Sequence, residues 1–278
     1  MIISHKLKVI FIKSFKVSGE SFEAALRSYC GKGDISAFLD EKTYKDMFTN
    51  YYKGECLNSY HMSAETLRLK LPDNIWNNYL KVSFVRDIYD TIISLYCYHH
   101  NNQAFRGLYP KNFNQYLLKQ GIELVARNFS MLCIDRRCVI DFIIRYENRE
   151  EDIKTLEKKI DCNGLVDAYK STNRHTRLRP PGQDIFKVYS KYPIARSLID
   201  MHFSQVMNDN ELIQKYYPLY KERLSQEIPE PGYLSQKTAR LLFALHNYWP
   251  TPKLEWMDRE RKRHFRRIFY FRRIAKLV

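Results

Sequence analysis

KVIFIKSFKVSGESF, residues 8–22, reads as a buried strand running into a turn that opens a helix. Val9, Ile10, Phe11 and Ile12 form an unbroken apolar run of the kind a strand shows when both faces are covered, and such strands are usually parallel and central. Phe22, Ala25, Leu26 and Tyr29 then recur at i, i+3, i+4 and i+7 as one apolar helix face, with Gly31 placed to stop the helix. The turn between strand and helix therefore ends on backbone N–H groups without intrahelical partners, at the positive end of a helix dipole. That is an anion site. Gly19 is expected to let the backbone approach an oxygen closely, while Lys16, Ser18 and Ser21 add charge and donors.

Lys16 comes before Gly19, whereas the Walker A loop, GxxxxGK[ST], needs its lysine directly after the last glycine so that it folds back over the terminal phosphates. No GK[ST] occurs in the chain. On its own the turn is either another kind of phosphate cradle or one of the many strand-turn-helix units that bind nothing.

A second junction of the same kind follows at LKVSFVRDIYDTIISLYCYHH, residues 80–100. Val82, Phe84 and Val85 make another buried strand, Asp87 is placed to cap the next helix, and Ile88, Ile92, Leu95 and His99 mark its inward face. Arg86 thus stands at the carboxyl end of a strand, where open α/β sheets bind ligands, and Ser94 lies two turns into the helix. A guanidinium and a hydroxyl so arranged suit a second phosphate. The plainer alternative is that Arg86 pairs with a local carboxylate.

Taken together, FKVSGES from Phe15 to Ser21 and VRDIYDTIIS from Val85 to Ser94 resemble the two phosphate motifs of the sulfotransferases that use 3′-phosphoadenosine 5′-phosphosulfate (PAPS), in particular the carbohydrate branch. In that family a PK(T/V)(A/G)(G/S)TS-like loop holds the 5′-phosphosulfate, and a VRDP-like strand end with a serine eight residues after its arginine holds the 3′-phosphate. The likeness continues through NSYHMSAETLRLKLPDNIWNNYLKVSFVRD and through CVIDFIIRYENREEDIKTLEKKI, which is similar to VDFIGRFENLEEDF in the family. It is specific over residues 7–162 and looser to about residue 222. Phe15 replaces the usual proline, and Glu20 stands where threonine is usual.

The resemblance implies a P-loop-like α/β fold, with a central parallel sheet flanked by helices and a largely helical C-terminal part. It also implies PAPS as cofactor, 3′,5′-phosphoadenosine as product, no metal, and a hydroxyl of a carbohydrate or glycoconjugate as acceptor. The cofactor contacts would come from Lys16, Val17, Ser18, Gly19, Glu20, Ser21, Phe22, Arg86 and Ser94. Lys16 would stabilise the departing phosphate. His61, in YHMSAE, is the candidate base, because related enzymes often carry a histidine between the two motifs. A capping or surface histidine is the alternative, and Glu20 is the second candidate base. Two readings from other classes stand beside this one: a nucleotide kinase with an atypical loop, for which no magnesium-binding acids are well placed, and a non-catalytic basic protein that binds nucleotides or polyanions.

Bulk properties bound these readings. The chain has 278 residues with 46 basic and 31 acidic side chains, a net charge of +15, which favours polyanionic partners. Its 45% hydrophobic content is that of a globular protein. Six scattered cysteines lack any zinc-ligand spacing and read as core thiols of a reducing compartment. No run reaches the roughly 18 apolar residues of a membrane span, so the expected location is cytoplasmic, unless a targeting segment has been removed.

Residues 1–228 are expected to form the α/β domain, and the PEPG break at 229–232 to begin a helical extension, residues 229–278, packed on it. FSMLCI and CVIDFII are expected to pair as a hairpin around Asp135, Arg136 and Arg137. A helix starting at Asn148 should bury Ile153, Leu156 and Ile160 and end at Cys162-Asn163-Gly164. KSTNRHTRLRPP, residues 170–181, is a basic loop in which Arg174, His175 and Arg177 are candidate contacts to an anionic acceptor, a solvated loop being the alternative. Residues 258–278 carry nine Lys or Arg against two acids in an imperfectly amphipathic helix, suited to peripheral contact with an anionic membrane. Packing on the chain's own domain is the alternative, and no recognised motif supports nucleic acid as a partner.

Overall fold

The computed structural model describes residues 1–36, 61–105, 107–172, 179–181 and 183–248. Arg174, His175, Arg177 and the basic segment 258–278 lie outside the described residues. The strands are β1 (Ile2–Ser4), β2 (Val9–Phe11), β3 (Ile35–Ser36), β4 (Leu80–Val85), β5 (Cys133–Ile134), β6 (Arg137–Cys138) and β7 (Phe142–Arg145). Five of them form one sheet in the order β3-β1-β2-β4-β7. The helices used below are α1 (Gly19–Arg27), α2 (Ala64–Lys70), α3 (Asp73–Asn78), α4 (Ile88–Asn101), α5 (Phe113–Tyr116), α6 (Ile122–Ser130), α7 (Arg149–Lys159), α8 (Leu165–Ser171), α9 (Ile185–Lys191), α10 (Pro193–Val206), α11 (Glu211–Glu227) and α12 (Tyr233–Tyr248).

The apolar run of β2 is explained by its two neighbours and two covers. Val9, Phe11, Val82 and Phe84 face one core with Phe22, Leu26, Ile153, Leu156 and Leu165 from α1, α7 and α8. Ile10, Ile12 and Val85 face the other, with Ile88 and Ile92 of α4, Val125 and Phe129 of α6, and side chains of α9 to α12. Alternate residues of each strand are thus buried on opposite faces, which is why the run shows no polar alternation. β2, β4 and β7 are parallel, with Phe11 opposite Val82 and Val82 opposite Phe142, so all three strands end at one edge.

The sheet is not wholly parallel. β1 precedes the expected first strand and runs antiparallel to both β2 and β3, with Ile3 opposite Ile10 on one side and Ile35 on the other. Asp34 closes this corner by accepting from Ser4 Oγ, His5 N–H (2.6 Å) and Gly31 N–H (2.8 Å). Gly31 therefore serves that turn, and α1 has already ended at Arg27.

The expected hairpin is also smaller. Only β5 and β6 pair with each other, Phe129 and Ser130 belong to α6, and Phe142–Arg145 leaves the hairpin to become the edge of the main sheet. Similarly, α7 buries Ile153 and Leu156 as expected, but the chain turns at Asp161 (φ 49°), and Gly164 (φ 86°) opens α8. Arg196 of α10, with only 1% of its side chain exposed, donates to Ile228 O and Pro229 O, both at 2.9 Å, and α12 buries Ala239 and Phe243 in the main core.

Candidate active site

The turn after β2 is held by its backbone. Asn128 of α6, 6% exposed, grips the Phe15 peptide unit from both sides: its Oδ1 accepts the Phe15 N–H at 2.7 Å and its Nδ2 donates to Phe15 O at 2.8 Å. Ser18 Oγ lies 2.8 Å from Tyr169 Oη of α8, and Thr172 Oγ1 donates to Ser21 O at 3.0 Å. Lys16 and Ser18 both take left-handed conformations, φ 59° and 69°, on either side of Val17, which does not. Where left-handed residues alternate with right-handed ones, successive N–H groups curl toward one point as an anion-binding nest, and this turn is a candidate for one. α1 begins directly after it, its first bond running from Phe22 N–H to Ser18 O (3.2 Å).

Gly19 also meets a packing demand. Its φ is not positive, and a Cβ there would sit 2.6 Å from Lys13 Cγ. The glycine makes room for the Lys13 stem, whose ammonium pairs at 2.6 Å with Glu23 Oε2, both side chains being buried. The left-handed burden falls instead on Lys16 and Ser18, which costs of order 1 kcal/mol at each such residue and persists because the clamps above over-determine the turn.

Arg86 follows β4 directly and completes the same edge. Its Nη1 donates to Lys16 O at 2.6 Å, its Nε and Nη2 grip Asp90 Oδ2 at 2.8 and 2.5 Å, and its guanidinium lies 3.9 Å above the Tyr146 ring. The local-carboxylate pairing is therefore present, and Arg86 also ties the second motif to the first. Asp90 is shared, since Arg179 Nη1 reaches its Oδ1 at 2.5 Å. Burial raises the Asp90 carboxyl, but the two guanidiniums outweigh it and hold the group below its usual range. Asp87 caps α4 as expected, accepting from Tyr89 N–H and Asp90 N–H.

Asp90, Ser94 and Tyr98 follow at successive turns of α4 and share one face. The Lys16 ammonium lies 4.0 Å from the Tyr98 ring centre, so half-buried Ser94 falls between the carboxylate that holds Arg86 and the ring that holds Lys16. Burial lowers the Lys16 pKa to about 8, with Glu20 opposing and Arg86 adding to the shift. Two strand ends thus bring a lysine, an arginine, a hydroxyl and a nest of N–H groups to one edge of the sheet.

The family model described as the sulfotransferase family matches residues 1–223. The chain belongs to this family. A search of curated proteins and a search of solved structures each returned no match. Sulfuryl transfer is accordingly the activity in general terms.

His61 and Glu20 lie beside the same turn. His61 Nδ1 is 2.9 Å from Lys13 O, so this nitrogen carries the hydrogen and Nε2 the lone pair. Its ring stacks on Phe15 with centres 4.0 Å apart at 26°, which gives the phenyl group at the usual proline position a structural part. Burial pushes the His61 imidazole down to about 4, so it is neutral at pH 7, though a weak base. Glu20, in the first turn of α1, is near enough to Lys16 to support its charge. Val17 and Phe22 are buried and face the core, contributing only backbone to the turn, and Ser21 is nearly buried as well.

Several site residues were not legible beforehand. Asn128, Tyr146, Tyr169 and Tyr98 come from four separate elements, and no local spacing connects them to Lys16. Arg179 belongs to the basic segment singled out in the sequence, but only the fold shows that it lands on Asp90. His99 is a wall residue as expected, stacked on Tyr109 at 3.9 Å and bonded to Tyr116 Oη at 2.9 Å. Among the described residues, no helix is long and apolar enough to cross a membrane.

Proposed function

We propose that the protein transfers the sulfuryl group of PAPS to a hydroxyl of a carbohydrate or glycoconjugate, using a P-loop-like turn. The observation that supports this most is the direct bond from Arg86 Nη1 to Lys16 O, which sets two cations on neighbouring strand ends beside a nest of N–H groups. A nucleotide with phosphate at both ends of its ribose calls for such a double site, and an ATP-type ligand does not. The residues present fit the cofactor: the nest and Lys16 suit a 5′-phosphosulfate, and Arg86 with Ser94 suits a 3′-phosphate. Ser14 Oγ, buried at the head of the turn, has no protein partner. When bound, the cofactor supplies an activated sulfuryl group and a phosphate leaving group.

Within that chemistry Lys16 holds positive charge where negative charge builds on the leaving side, and the turn's N–H groups hold it in a fixed array. His61 Nε2 is the proposed acceptor of the acceptor hydroxyl's proton, with Glu20 as the second candidate. A base whose conjugate acid has a pKa of about 4 is modest, which fits a loose transition state in which the incoming hydroxyl keeps its proton until late. Arg174, His175 and Arg177 remain proposed acceptor contacts, and segment 258–278 a proposed contact with an anionic membrane surface, in a cytoplasmic, membrane-peripheral protein.

Thermal shift with 3′,5′-phosphoadenosine and with ATP tests the double site. Stabilisation by the bisphosphate, and little by ATP, is expected. The reverse order would remove PAPS from the account, and screening acceptors with labelled cofactor then tests the acceptor class separately.

A further inference from the structure

Two cysteines face each other across the hairpin β5–β6, and neither takes part in the chemistry above. Cys133 stands opposite Cys138 and Ile134 opposite Arg137. The connecting Asp135 and Arg136 are both left-handed, φ 48° and 69°, as in the two-residue I′ turn that matches the twist of adjacent strands. Beyond the pair, Val139 N–H donates to Leu132 O at 3.1 Å, whereas Cys138 N–H turns outward to Glu211 Oε2 at 2.8 Å. Because bonded and non-bonded pairs alternate along antiparallel strands, Cys133 and Cys138 form a non-hydrogen-bonded pair, the class with Cα atoms about 4.5 Å apart and side chains closest. A disulfide spans Cα separations of about 4.4–6.8 Å, so the backbone is already in place.

The hairpin is a joint between elements that carry the site. Met131 O, just before β5, accepts the Ala64 N–H of α2 at 2.7 Å, which fixes the segment leading from His61. Arg136 O accepts the Glu211 N–H of α11 at 3.1 Å, and α6, which ends at the hairpin, carries the Asn128 clamp. Anything that stiffens β5–β6 stiffens these attachments together.

We propose that Cys133 and Cys138, both thiols in this structure, form a cross-strand disulfide under oxidising conditions. With a small-molecule disulfide as oxidant, one cysteine thiolate attacks it, making a mixed disulfide and releasing one thiol. The second cysteine then displaces the other half as a thiol. The protein loses two electrons and two protons, and the oxidant gains them. Burial raises both thiols, Cys133 to about 12, so the folded hairpin is a poor source of thiolate and the bond forms slowly unless the hairpin is loosened.

The sequence supplies a direct readout, because trypsin cuts after Arg136 and Arg137, between the two cysteines. The full-length protein is incubated with oxidised glutathione in mild denaturant, returned to buffer, blocked with an alkylating agent and digested without reductant. A pair of peptides joined through Cys133 and Cys138, lighter by two hydrogens than their sum and released by dithiothreitol, is expected. Two separately alkylated peptides, or glutathione on each cysteine, would overturn the proposal. The oxidised protein should also melt about 3–4 °C above the reduced one, from closure of a short loop in a chain of this size. Cys138→Ser should abolish that difference, and an unchanged redox dependence in the variant would assign it to other thiols.

Discussion

The turn at residues 14–21 and the helix start at residues 86–94 both bring a cation to the same edge of the sheet, yet they are stabilised in opposite ways. The turn is fixed through its backbone, by Asn128 on Phe15, Arg86 on Lys16 O and Thr172 on Ser21 O, and the Lys16 ammonium rests on an aromatic ring. At the helix start the charge is partly compensated, since Asp90 binds both Arg86 and Arg179 and one positive charge is left over among the three. A site whose ammonium rests on a ring, with Glu20 close by, keeps more of its field for an arriving anion than a chelated guanidinium does. A site whose charge is paired offers position and remaining N–H donors more than field. The first suits the end of a ligand where bonds change, and the second suits an end that is only recognised.

The comparison breaks most sharply at Lys16. Lys16→Ala should lower kcat by about 10²–10³-fold, the usual loss when one donor to developing charge is removed, while leaving the melting temperature nearly unchanged. Labelled-sulfate transfer at saturating cofactor measures this. Full activity in the variant would mean that the turn binds without taking part in the chemistry.

Arg86 should behave differently, because it has three partners. Arg86→Ala leaves Asp90 with Arg179 alone, so the expected loss of stability is about 2 kcal/mol, below the 3–5 kcal/mol typical of a buried carboxylate left wholly unpaired. Affinity for 3′,5′-phosphoadenosine should fall, with affinity for its 3′-dephosphorylated counterpart little changed, as titration calorimetry would show. Adding Asp90→Ala should recover stability without recovering affinity. An equal loss for both nucleotides would instead assign Arg86 to holding the Lys16 carbonyl.

How much of this could be read beforehand follows from the range of the forces involved. The two strand-turn-helix units were legible because burial on both faces of β2 and β4 leaves an unbroken apolar run, and because Asp87 caps its own helix. β1 was not, since three residues, Ile2 to Ser4, carry too little pattern to call a strand, and its direction is set by the distant corner at Asp34. At Gly19 the packing demand was hidden: the Lys13 stem that it accommodates becomes visible only when the strand end and α1 are folded together. Asn128, more than a hundred residues from Phe15, has no local signature at all. Arg86 shows a further limit, for a sequence can place a cation at a strand end but cannot show that a carboxylate one turn later has already met it.

The smallest expected effect is also the one that ties the comparison to ionisation. Burial is the main reason the Lys16 ammonium loses its proton near pH 8 instead of near its ordinary 10.5. The group is charged below that value and neutral above it, so kcat/KM should be level near pH 7 and fall as pH rises through about 8, approaching tenfold per unit beyond it. Bound phosphate favours the charged form, so the same limb in kcat should lie at higher pH. Lys16→Arg should remove the limb from the accessible range at some cost in rate, because a planar guanidinium does not replace a compact ammonium. His61, held down to about 4 by burial, would add a rise through that region if it is the base, and His61→Ala would erase it. A profile that stays flat through pH 9 in the wild type would show that the Lys16 charge is not what the reaction needs and would return both motifs to recognition alone.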